Sequence, residues 1–486
     1  MLQVSDAYKE LVKSNIRPKI EPVIKVSGKD NTGKEIELVW NAKNIKDLKY
    51  KRGVDPVGRE LPYMELTWTE IYTGTLNVEN YPEKYNNVTK YMTVDLSFIQ
   101  DLDFYNTWKT IFNGGLKWSE LFTKTWKKVK KEASQETITM PKLFLSARPT
   151  IKGQTITWVA KDFLSFLNEQ MLWEFDWRPI DEVSLKNAIS FFLLNSRGGF
   201  LNSPNIVKAC TDSATQLILR EDIDDMLKER IICDGSANNI ILNLASIYNY
   251  FLDFSENTLT LKHFNPKNPS FVFDGKILYK YPTMEMSTNI SSYSFKHRKV
   301  EPEPEKAYYK EPHQYVKIDE NFGYLYYLLN GYGEAFASED AAQDIDNRIN
   351  IGEINSATWM GAFHNDQKKK IYVVPVHYTA YDNIVNINSV GEVFKEDNPI
   401  NPYGEGSDFA TARKDFLNSY FSSDCSGISF EALANVALET NDVIKIETNL
   451  YDENGNKVVK DALIVSMELT YNGSLKQKIK AHEVIL

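Results

Sequence analysis

The sequence predicts a mainly β protein with α+β insertions and several domains. Its last part contains three runs in which apolar and polar residues alternate, and two turn dipeptides: 443–448, 463–469, 475–481, Asn454-Gly455 and Asn472-Gly473. Asn-Gly supplies the positive φ angles of a tight hairpin turn, so these runs predict an antiparallel β-meander. Two further observations agree with this class: an alternating hairpin pattern near the N-terminus, and a middle region in which strand and helix patterns alternate.

The first predicted elements are a short helix and a β-hairpin. Ser5 can cap a helix that runs to Lys13, because its hydroxyl can accept hydrogen bonds from the free amides of the first turn. The stretches "PKIEPVIKVSG" and "KDNTGKEIELVWN" alternate and contain a turn at 31–33. A third strand is predicted at 63–71, with Pro62 at its start because a proline inside the ladder would lose a hydrogen bond.

The middle of the chain predicts an α/β region followed by a stiff connector. The stretch "PTIKGQTITWVAKDF" predicts a strand and a helix that starts near Lys161, and "IILNLASIYNYFLDF" predicts a helix that leads into a hairpin with its turn at 255–257. Pro302, Pro304 and Pro312 stand among charges and favour an extended connector. The predicted domains are 1–150, mainly β with a helical insertion near 102–131; 151–300, α/β; 301–410, β-rich; and 411–486, a helix and the β-meander.

Composition limits the function classes. The chain has 486 residues, of which 42% are hydrophobic, so it can bury a sizeable core. Its formal net charge of −10 argues against a broad electrostatic footprint for nucleic acid. Cys210, Cys233 and Cys425 show no CxxC spacing, so neither a disulfide framework nor a zinc knuckle is predicted. The start lacks an apolar h-region and no apolar run approaches the roughly 20 residues that span a bilayer, so we expect cytoplasmic synthesis and no stable membrane insertion.

Aromatic side chains occur at helical spacing in the predicted helical insertion. Trp108 and Phe112 are four residues apart, and Trp118, Phe122 and Trp126 repeat that spacing, so each set lies on one face of a helix. With the lysines that follow, this stripe suggests a stacking platform for single-stranded nucleic acid. The alternative is a helical hairpin that buries its tryptophans, and the acidic composition favours this alternative.

Catalytic and metal-binding patterns are weak. Glu174, Asp176, Asp181 and Glu182 lie among aromatic residues, and a pair of carboxyl groups is what glycoside hydrolysis requires. The alternative, which we favour, is a half-buried strand in which Glu174 and Asp176 share one face. The six histidines have no zinc-ligand spacing, and neither a phosphate loop nor a nucleophile elbow occurs. We therefore predict no catalytic, cofactor or metal site.

Three parts of the sequence resemble the hub proteins at the tip of bacteriophage tails. The C-terminal part has "NDVIKI" before its long hairpin and "ELTYNG" before its last strand, the first part has "VDPVGRELPY" after its hairpin, and the middle has "DFLSFL" and "LTLKHF". These parts occur in the order expected for that family. The residues that carry the hub-like structural motif are Asp55, Pro56, Leu61, Pro62, Asp162, Leu164, Leu167, Asn441, Asp442, Asn472 and Gly473.

The resemblance implies an architecture and a function. Hub proteins form homotrimers in which two ring-forming, tube-like β-barrel domains per subunit make a pseudo-sixfold ring, beside an α/β domain. The resemblance therefore implies that 1–150 is β-barrel-like and that the β-meander of 411–486 completes a barrel. This implies a structural subunit of a tail tip or baseplate hub in the virion, made in the host cytoplasm. Its partners would be a tail tube or distal tail ring protein, and a spike, fibre or tape-measure protein. DNA would pass through without specific binding, and the net negative charge agrees with a passage that lets DNA slide.

The same resemblance implies a role without enzymatic activity. Longer relatives append peptidase, lysozyme-like or fibre modules after the meander, whereas this sequence ends there. Two alternatives stay open. A cell-wall carbohydrate-active enzyme would depend on Glu174 and Asp176, and a receptor-binding adhesin of the tail would expose an aromatic surface to glycans.

Overall fold

The computed structural model describes most of the chain. The described residues are 2–13, 19–30, 32–71, 85, 88–102, 135–167, 172–177, 183–195, 203–217, 226–227, 231–255, 258–287, 289–302, 308–310, 333–336, 371–387, 391–400, 402, 408–422 and 425–486. The predicted aromatic helices lie outside these residues, as do parts of the predicted connector, 303–307 and 311–312.

Strands dominate the described part of the chain. They are β1 (Ile20–Lys29), β2 (Glu35–Asn41), β3 (Ile45–Gly53), β4 (Tyr63–Ile71), β5 (Thr93–Asp101), β6 (Gln135–Thr139), β7 (Leu143–Leu145), β8 (Thr150–Lys152), β9 (Thr155–Lys161), β10 (Leu172–Trp177), β11 (Val183–Ser184), β12 (Met226–Leu227), β13 (Ile231–Ser236), β14 (Tyr250–Ser255), β15 (Thr258–His263), β16 (Phe271–Phe273), β17 (Thr283–Met286), β18 (Ile290–Pro302), β19 (Tyr308–Lys310), β20 (Gly333–Phe336), β21 (Ile371–Asn386), β22 (Glu392–Asp397), β23 (Cys425–Leu433), β24 (Val443–Tyr451), β25 (Lys457–Tyr471) and β26 (Leu475–Glu483). The predicted mainly β class is confirmed.

In the part of the chain that the structure describes, helices are fewer than strands and mostly short. They are α1 (Asp6–Lys13), α2 (Leu164–Leu167), α3 (Leu185–Asn195), α4 (Pro204–Thr215), α5 (Ala237–Ile247) and α6 (Asp408–Phe421). Among the described residues, no helix combines the length and the apolar character that a membrane span needs.

The predicted N-terminal elements are confirmed. The amide of Tyr8, in the first turn of α1, donates to Ser5 Oγ over 3.2 Å, which is the predicted cap. β1 and β2 pair in antiparallel fashion, and Gly33 in the turn before β2 has a φ of 86°. β4 begins at Tyr63, so Pro62 stands directly before the ladder.

The predicted C-terminal meander is also confirmed. β24 pairs with β25, and β25 pairs with β26, each in antiparallel fashion. Gly455 and Gly473, the second residues of the two Asn-Gly turns, have φ angles of 80° and 97°. These angles are common for glycine and rare for other residues, which is why the dipeptides located both turns in the sequence.

The largest sheet joins both ends of the sequence. Its strands lie in the order β17-β23-β26-β25-β3-β4-β9-β7-β5-β1-β2, and β16, β24, β6 and β8 branch from this path. A second sheet has the order β19-β21-β18-β22, with β20 beside β21. Within the described residues no pairing closes the first sheet on itself, so the ring-forming barrels of the predicted fold class stay a proposal.

β25 is shared by two groups of strands. One of its edges pairs with β24 along residues 457–463 and with β3 along residues 466–471, while β26 lies along its other edge. Its register with β26 shifts just after Ile464. At that point the amide of Val54 donates to the carbonyl of Val465 over 2.9 Å. The N-terminal strands and the C-terminal meander therefore form one hydrogen-bonded sheet.

Helices α3, α4 and α5 form the alternating region predicted for the middle of the chain. α3 packs against both α4 and α5, and α4 packs against β15. α5 leads into the β14–β15 hairpin, as the sequence predicts. The segment with the candidate carboxylates is a strand, β10, which pairs with β13 so that Glu174 stands opposite Asp234.

A cluster of three tryptophans fills the core beneath β2, β4 and β9. The ring centroids of Trp40, Trp68 and Trp158 are 5.0 to 5.6 Å apart, and the Trp68 and Trp158 rings are stacked. Glu70 is buried among them. Its carboxylate accepts hydrogen bonds from Trp40 Nε1 and, over 3.3 Å, from Trp158 Nε1. Buried indole N–H groups need such acceptors, so Glu70 satisfies the two rings that flank it.

Replacement of Trp158 by alanine tests this cluster. The side chain is fully buried, so we expect the free energy of unfolding to fall by about 3–5 kcal/mol, measured by urea titration. Val159→Ala is the matched control, because Val159 is half-buried on the other face of the same strand and should change stability by less than about 1 kcal/mol. Equal losses in the two variants would contradict the placement of the tryptophan in the core.

Candidate functional site: a buried junction of three chain segments

Arg52 lies in the interior because of its position in β3. Side chains alternate between the two faces of a strand, and Leu48 and Tyr50 point into the core. Arg52 continues this series and is 3% exposed. Burial raises the pKa of Tyr50 to about 12, which keeps its hydroxyl neutral beside the arginine.

Arg52 pairs with an aspartate from the middle of the chain. Arg52 Nη2 lies 3.1 Å from Asp253 Oδ1, across a separation of 201 residues, and Asp253 is 0% exposed. Nη2 also donates to the backbone carbonyl of Phe254. On its other side, Arg52 Nη1 lies 3.5 Å from Glu439 Oε1, in the loop before β24. The guanidinium of Arg52 therefore links β3 to the β14–β15 hairpin and to the loop before β24.

The Asp253 carboxylate has a full set of partners. Lys262 Nζ lies 2.6 Å from Oδ2, and Thr440 Oγ1 and the amide of Phe254 donate to Oδ1 over 3.0 and 2.8 Å. Burial by itself raises the pKa of Asp253, but the charges of Arg52 and Lys262 outweigh it and hold the pKa below its usual range. The aspartate is therefore ionised at neutral pH although it is buried.

A second buried arginine donates a hydrogen bond to the turn that follows β3. Arg413 in α6 donates from Nε to both carboxylate oxygens of Glu396 over 2.9 and 3.1 Å. Its Nη1 donates to Asn249 Oδ1 over 3.3 Å and its Nη2 to the carbonyl of Val57 over 2.7 Å. The Nε–H group is shared between the two oxygens of Glu396, and the remaining nitrogens bond to Asn249 and Val57, so α6 is held against this turn.

The predicted residues Asp55 and Pro56 form that turn. The Asp55 carboxylate accepts hydrogen bonds from the amides of Val57 and Arg59 over 3.1 and 2.9 Å. Gly58 has a φ of 73°, and a Cβ atom there would lie 2.9 Å from the carbonyl oxygen of Tyr250. The turn therefore approaches the start of β14 too closely for any residue except glycine.

Asp162, Leu164 and Leu167 lie beside the same region. The Asp162 carboxylate follows β9, accepts from the amide of Met64 over 3.0 Å and caps α2 through the amide of Ser165 over 3.0 Å. This cap explains why the helix predicted to start near residue 161 begins at Leu164. Burial raises the pKa of Asp162, and its hydrogen bonds only partly oppose that rise. The leucines are buried, and Leu61 and Pro62 lead into β4.

The predicted pair Asn441 and Asp442 lies where β25 changes partner. The amide of Asn441 donates to the carbonyl of Ile464 over 2.8 Å, and the amide of Ile464 donates to the carbonyl of Asp442 over 2.9 Å. Asp442 Oδ2 accepts from the amide of Glu439 over 2.8 Å. Asn441 has a φ of 69°, which asparagine tolerates better than most residues. β24 thus begins directly after this pair, and the loop that carries Glu439 leads into the pair.

The structure brings most of the predicted motif together at this junction but not all of it. Asn472 and Gly473 form the turn between β25 and β26, at the other end of β25. Sequence reasoning missed Arg52, Asp253 and Arg413. The alternation of β3 could have placed Arg52 on the buried face, whereas nothing local in the sequence indicates its partner.

The junction is built from ion pairs and hydrogen bonds between distant chain segments. Within the described residues, no group of histidine, cysteine and acidic side chains could hold a metal ion. A cleft of 570 Å³ opens beside the junction and is lined by amide, hydroxyl and charged groups from Asn441, Asp442, His263, Asn265 and other residues. The side chains of β10, on which a glycosidase would depend, are outside the described part of the chain.

Comparisons with known proteins give matches among solved structures. No protein-family model and no curated protein matches the sequence. The solved structures that are similar to this chain include three tail proteins. A 43 kDa tail protein of prophage MuSo2 from Shewanella oneidensis has a TM-score of 0.45 and 10% identity, over 95% of this chain and 97% of that chain. A tail protein from Neisseria meningitidis MC58 has 0.44 and 7%, over 95% and 96%, and prophage tail protein gp18 from Listeria monocytogenes EGD-e has 0.43 and 7%, over 95% and 94%.

Removal of the guanidinium tests the junction. We expect Arg52→Met to lower the free energy of unfolding by about 3–5 kcal/mol, because the variant leaves Glu439 and the Phe254 carbonyl without this donor and weakens the pairing of a buried carboxylate. Urea titration measures the change. The control is Lys51→Met, next to it on the outer face, for which we expect less than about 1 kcal/mol. A small effect of Arg52→Met would mean that the pair does not hold the segments together.

The two buried aspartates should respond to pH in opposite directions. The depressed pKa of Asp253 stabilises the fold above the unfolded value of about 3.9, and this contribution is lost as the pH falls through the folded pKa. The raised pKa of Asp162 gives a contribution that is present at low pH and lost as the pH rises through the folded pKa.

We therefore expect the cost of Asp253→Asn to shrink as the pH falls below about 4, and the cost of Asp162→Asn to shrink as the pH rises above it. Urea midpoints of wild type and both variants across this range measure the two costs. Parallel pH profiles for the two variants would refute the assignment of opposite shifts.

Proposed function

We propose that this chain is a structural subunit of a phage tail tip or baseplate hub, in a ring that joins the tail tube to a distal spike or fibre and gives DNA a passage. One observation carries the proposal. Two of the three sequence segments with hub-like patterns, near residues 3–72 and 432–486, lie side by side, because β3 pairs with β25 along 466–471. Residues that resemble one family in separate parts of the sequence thus belong to one sheet.

The junction supports a mechanical role. Arg52 and Arg413 are both buried. Arg52 pairs with Asp253 and Glu439, and Arg413 pairs with Glu396 and with the Val57 carbonyl in the N-terminal part of the chain. Buried pairs with few alternative partners fix one arrangement of the segments they join. A subunit that transmits force along a tail needs such fixed internal geometry, and we infer that its activity is structural.

The proposal includes the partners that the resemblance implies. The subunits form a homotrimer in the virion, between a tail tube or distal tail ring protein and a spike, fibre or tape-measure protein. Association of sheet edges between copies would cover the backbone groups that an edge strand leaves unpaired. Obligate interfaces of this kind bury about 2,000 Å² or more.

Mass and symmetry in solution test the ring. Light scattering over a concentration series should give three times the chain mass of 55.9 kDa, and class averages of stained particles should show threefold symmetry with a central hole. A particle of one chain mass at every concentration would contradict the ring.

A cell-wall lysis assay tests the enzyme alternative. Lysis by the wild-type chain that is lost in Glu174→Gln and Asp176→Asn would indicate a catalytic role instead of a structural one.

A further inference from the structure

Both Asn-Gly dipeptides of the C-terminal meander lie on the surface of the protein. Asn454-Gly455 is in the loop between β24 and β25, Asn472-Gly473 is in the loop between β25 and β26, and all four residues are exposed. A Cβ atom on either glycine would meet no atom within 4 Å, so open space surrounds both turns. The side-chain amide of asparagine can react with the backbone nitrogen of the next residue, and both dipeptides are therefore candidate sites for this modification.

The reaction is an intramolecular displacement of ammonia. The glycine backbone nitrogen gives its proton to a solvent base and attacks Cγ of the asparagine, which forms a nitrogen–Cγ bond and closes a succinimide ring. The bond from Cγ to the side-chain nitrogen breaks, and this nitrogen takes up a proton and leaves as ammonia. Water then opens the ring at either carbonyl and gives aspartate or isoaspartate. Water is the only co-reactant, and glycine favours the attack because it has no Cβ atom beside the reacting nitrogen.

Asp452 holds the first of the two turns in place. Its carboxylate accepts hydrogen bonds from the amides of Asn454 and Asn456 over 2.9 and 2.8 Å. Its backbone carbonyl accepts a hydrogen bond from the amide of Gly455 over 3.0 Å. The nitrogen that would attack Asn454 is therefore engaged as a donor, and its neighbours on both sides are held by the same aspartate.

The second turn has no comparable support. Residues 472–474 connect Tyr471 and Leu475, which form the last pair between β25 and β26. Among the described residues, none accepts a hydrogen bond from the Gly473 amide. The amide of Asn472 lies 3.5 Å from the carbonyl of Ser474, which is longer than an ordinary hydrogen bond. A loop with so few backbone bonds changes conformation at a low cost in free energy, so the Gly473 nitrogen can approach Cγ of Asn472.

We propose that Asn472 is a site of spontaneous deamidation, and that the folded chain modifies Asn472 in preference to Asn454. The two dipeptides have the same sequence and are both exposed, and they differ in the hydrogen bonds of the reacting nitrogen. The rate at Asn472 should be about fivefold higher, the ratio to which one net hydrogen bond of about 1 kcal/mol corresponds. The isoaspartate product also inserts a methylene group into the main chain of the turn that joins β25 and β26.

Timed incubation of the full chain at mildly alkaline pH tests the preference. Peptide mapping by mass spectrometry gives the rate at each asparagine, and ion exchange separates the products, because each event adds a negative charge to a chain of net charge −10. In concentrated urea the two rates should become similar, because unfolding removes the hydrogen bonds of the Asp452 loop. The other Asn-Gly dipeptides, at 113–114 and 330–331, lie outside the described residues and give separate peptides.

Variants at Asp452 test the cause of the preference. Asp452→Ala removes the carboxylate that holds the first turn, so the rate at Asn454 should rise toward the rate at Asn472, which serves as the internal control. Asp452→Asn is the matched control, since its side-chain oxygen can still accept hydrogen bonds from the two amides, and its rate at Asn454 should stay near that of wild type. Urea midpoints show that the variants are folded, which we expect because residue 452 is exposed.

Three results would overturn the inference. The first is a rate at Asn472 in the folded chain that is equal to or lower than the rate at Asn454. The second is a preference that persists unchanged in urea, because the local sequence and not the fold would then cause it. The third is an unchanged rate at Asn454 in Asp452→Ala, since the hydrogen bonds of the first turn would then give no protection.

Discussion

The arrangement of the chain depends on the buried ion pair between Arg52 and Asp253. Each partner would be costly to bury alone, because a charge without a partner in the interior loses its hydration. Together with Glu439 they bring three distant segments to one point. Arg413 adds α6 and β22 to the turn that follows β3. The point where β25 changes partner and the cleft beside Asn441 lie next to the segments that these two guanidinium groups hold in contact.

β25 joins the N-terminal and C-terminal segments in one continuous sheet. The strand is long enough to pair with β24 over one half of its edge and with β3 over the other. The change of partner occurs beside Asn441 and Asp442, whose backbone groups bond to Ile464. A residue with positive φ there lets the chain turn sharply into β24 without covering the edge that β3 needs. The hub-like residues at this position thus have a geometric role that their resemblance alone does not explain.

Local structure was predictable from the sequence, and tertiary partners were not. The meander followed from alternation and from Gly455 and Gly473, whose conformations few other residues adopt, and the cap at Ser5 followed from its side chain. The start of α2 was placed three residues early, because the Asp162 cap depends on the neighbouring β4 as well as on the local sequence. Sequence reasoning missed that β25 pairs with both β24 and β3, and that Arg52 pairs with Asp253. Pairing across hundreds of residues leaves no local periodic signal. The sequence contains Trp40, Trp68 and Trp158, but only the structure shows that Glu70 accepts hydrogen bonds from two of these tryptophans.

The pairing of β3 with β25 has a consequence for the order in which the chain is made. β3 is complete once Gly53 has left the ribosome, but its partner strand begins only at Lys457. The edge of β3 therefore lacks its native partner until Lys457–Tyr471 have been made, whereas Arg52 can meet Asp253 once the β14–β15 hairpin has emerged. Long-range pairing of this kind is slow and leaves strand edges open to other chains. Until β25 has emerged, this open edge leaves the nascent protein vulnerable to aggregation with other chains.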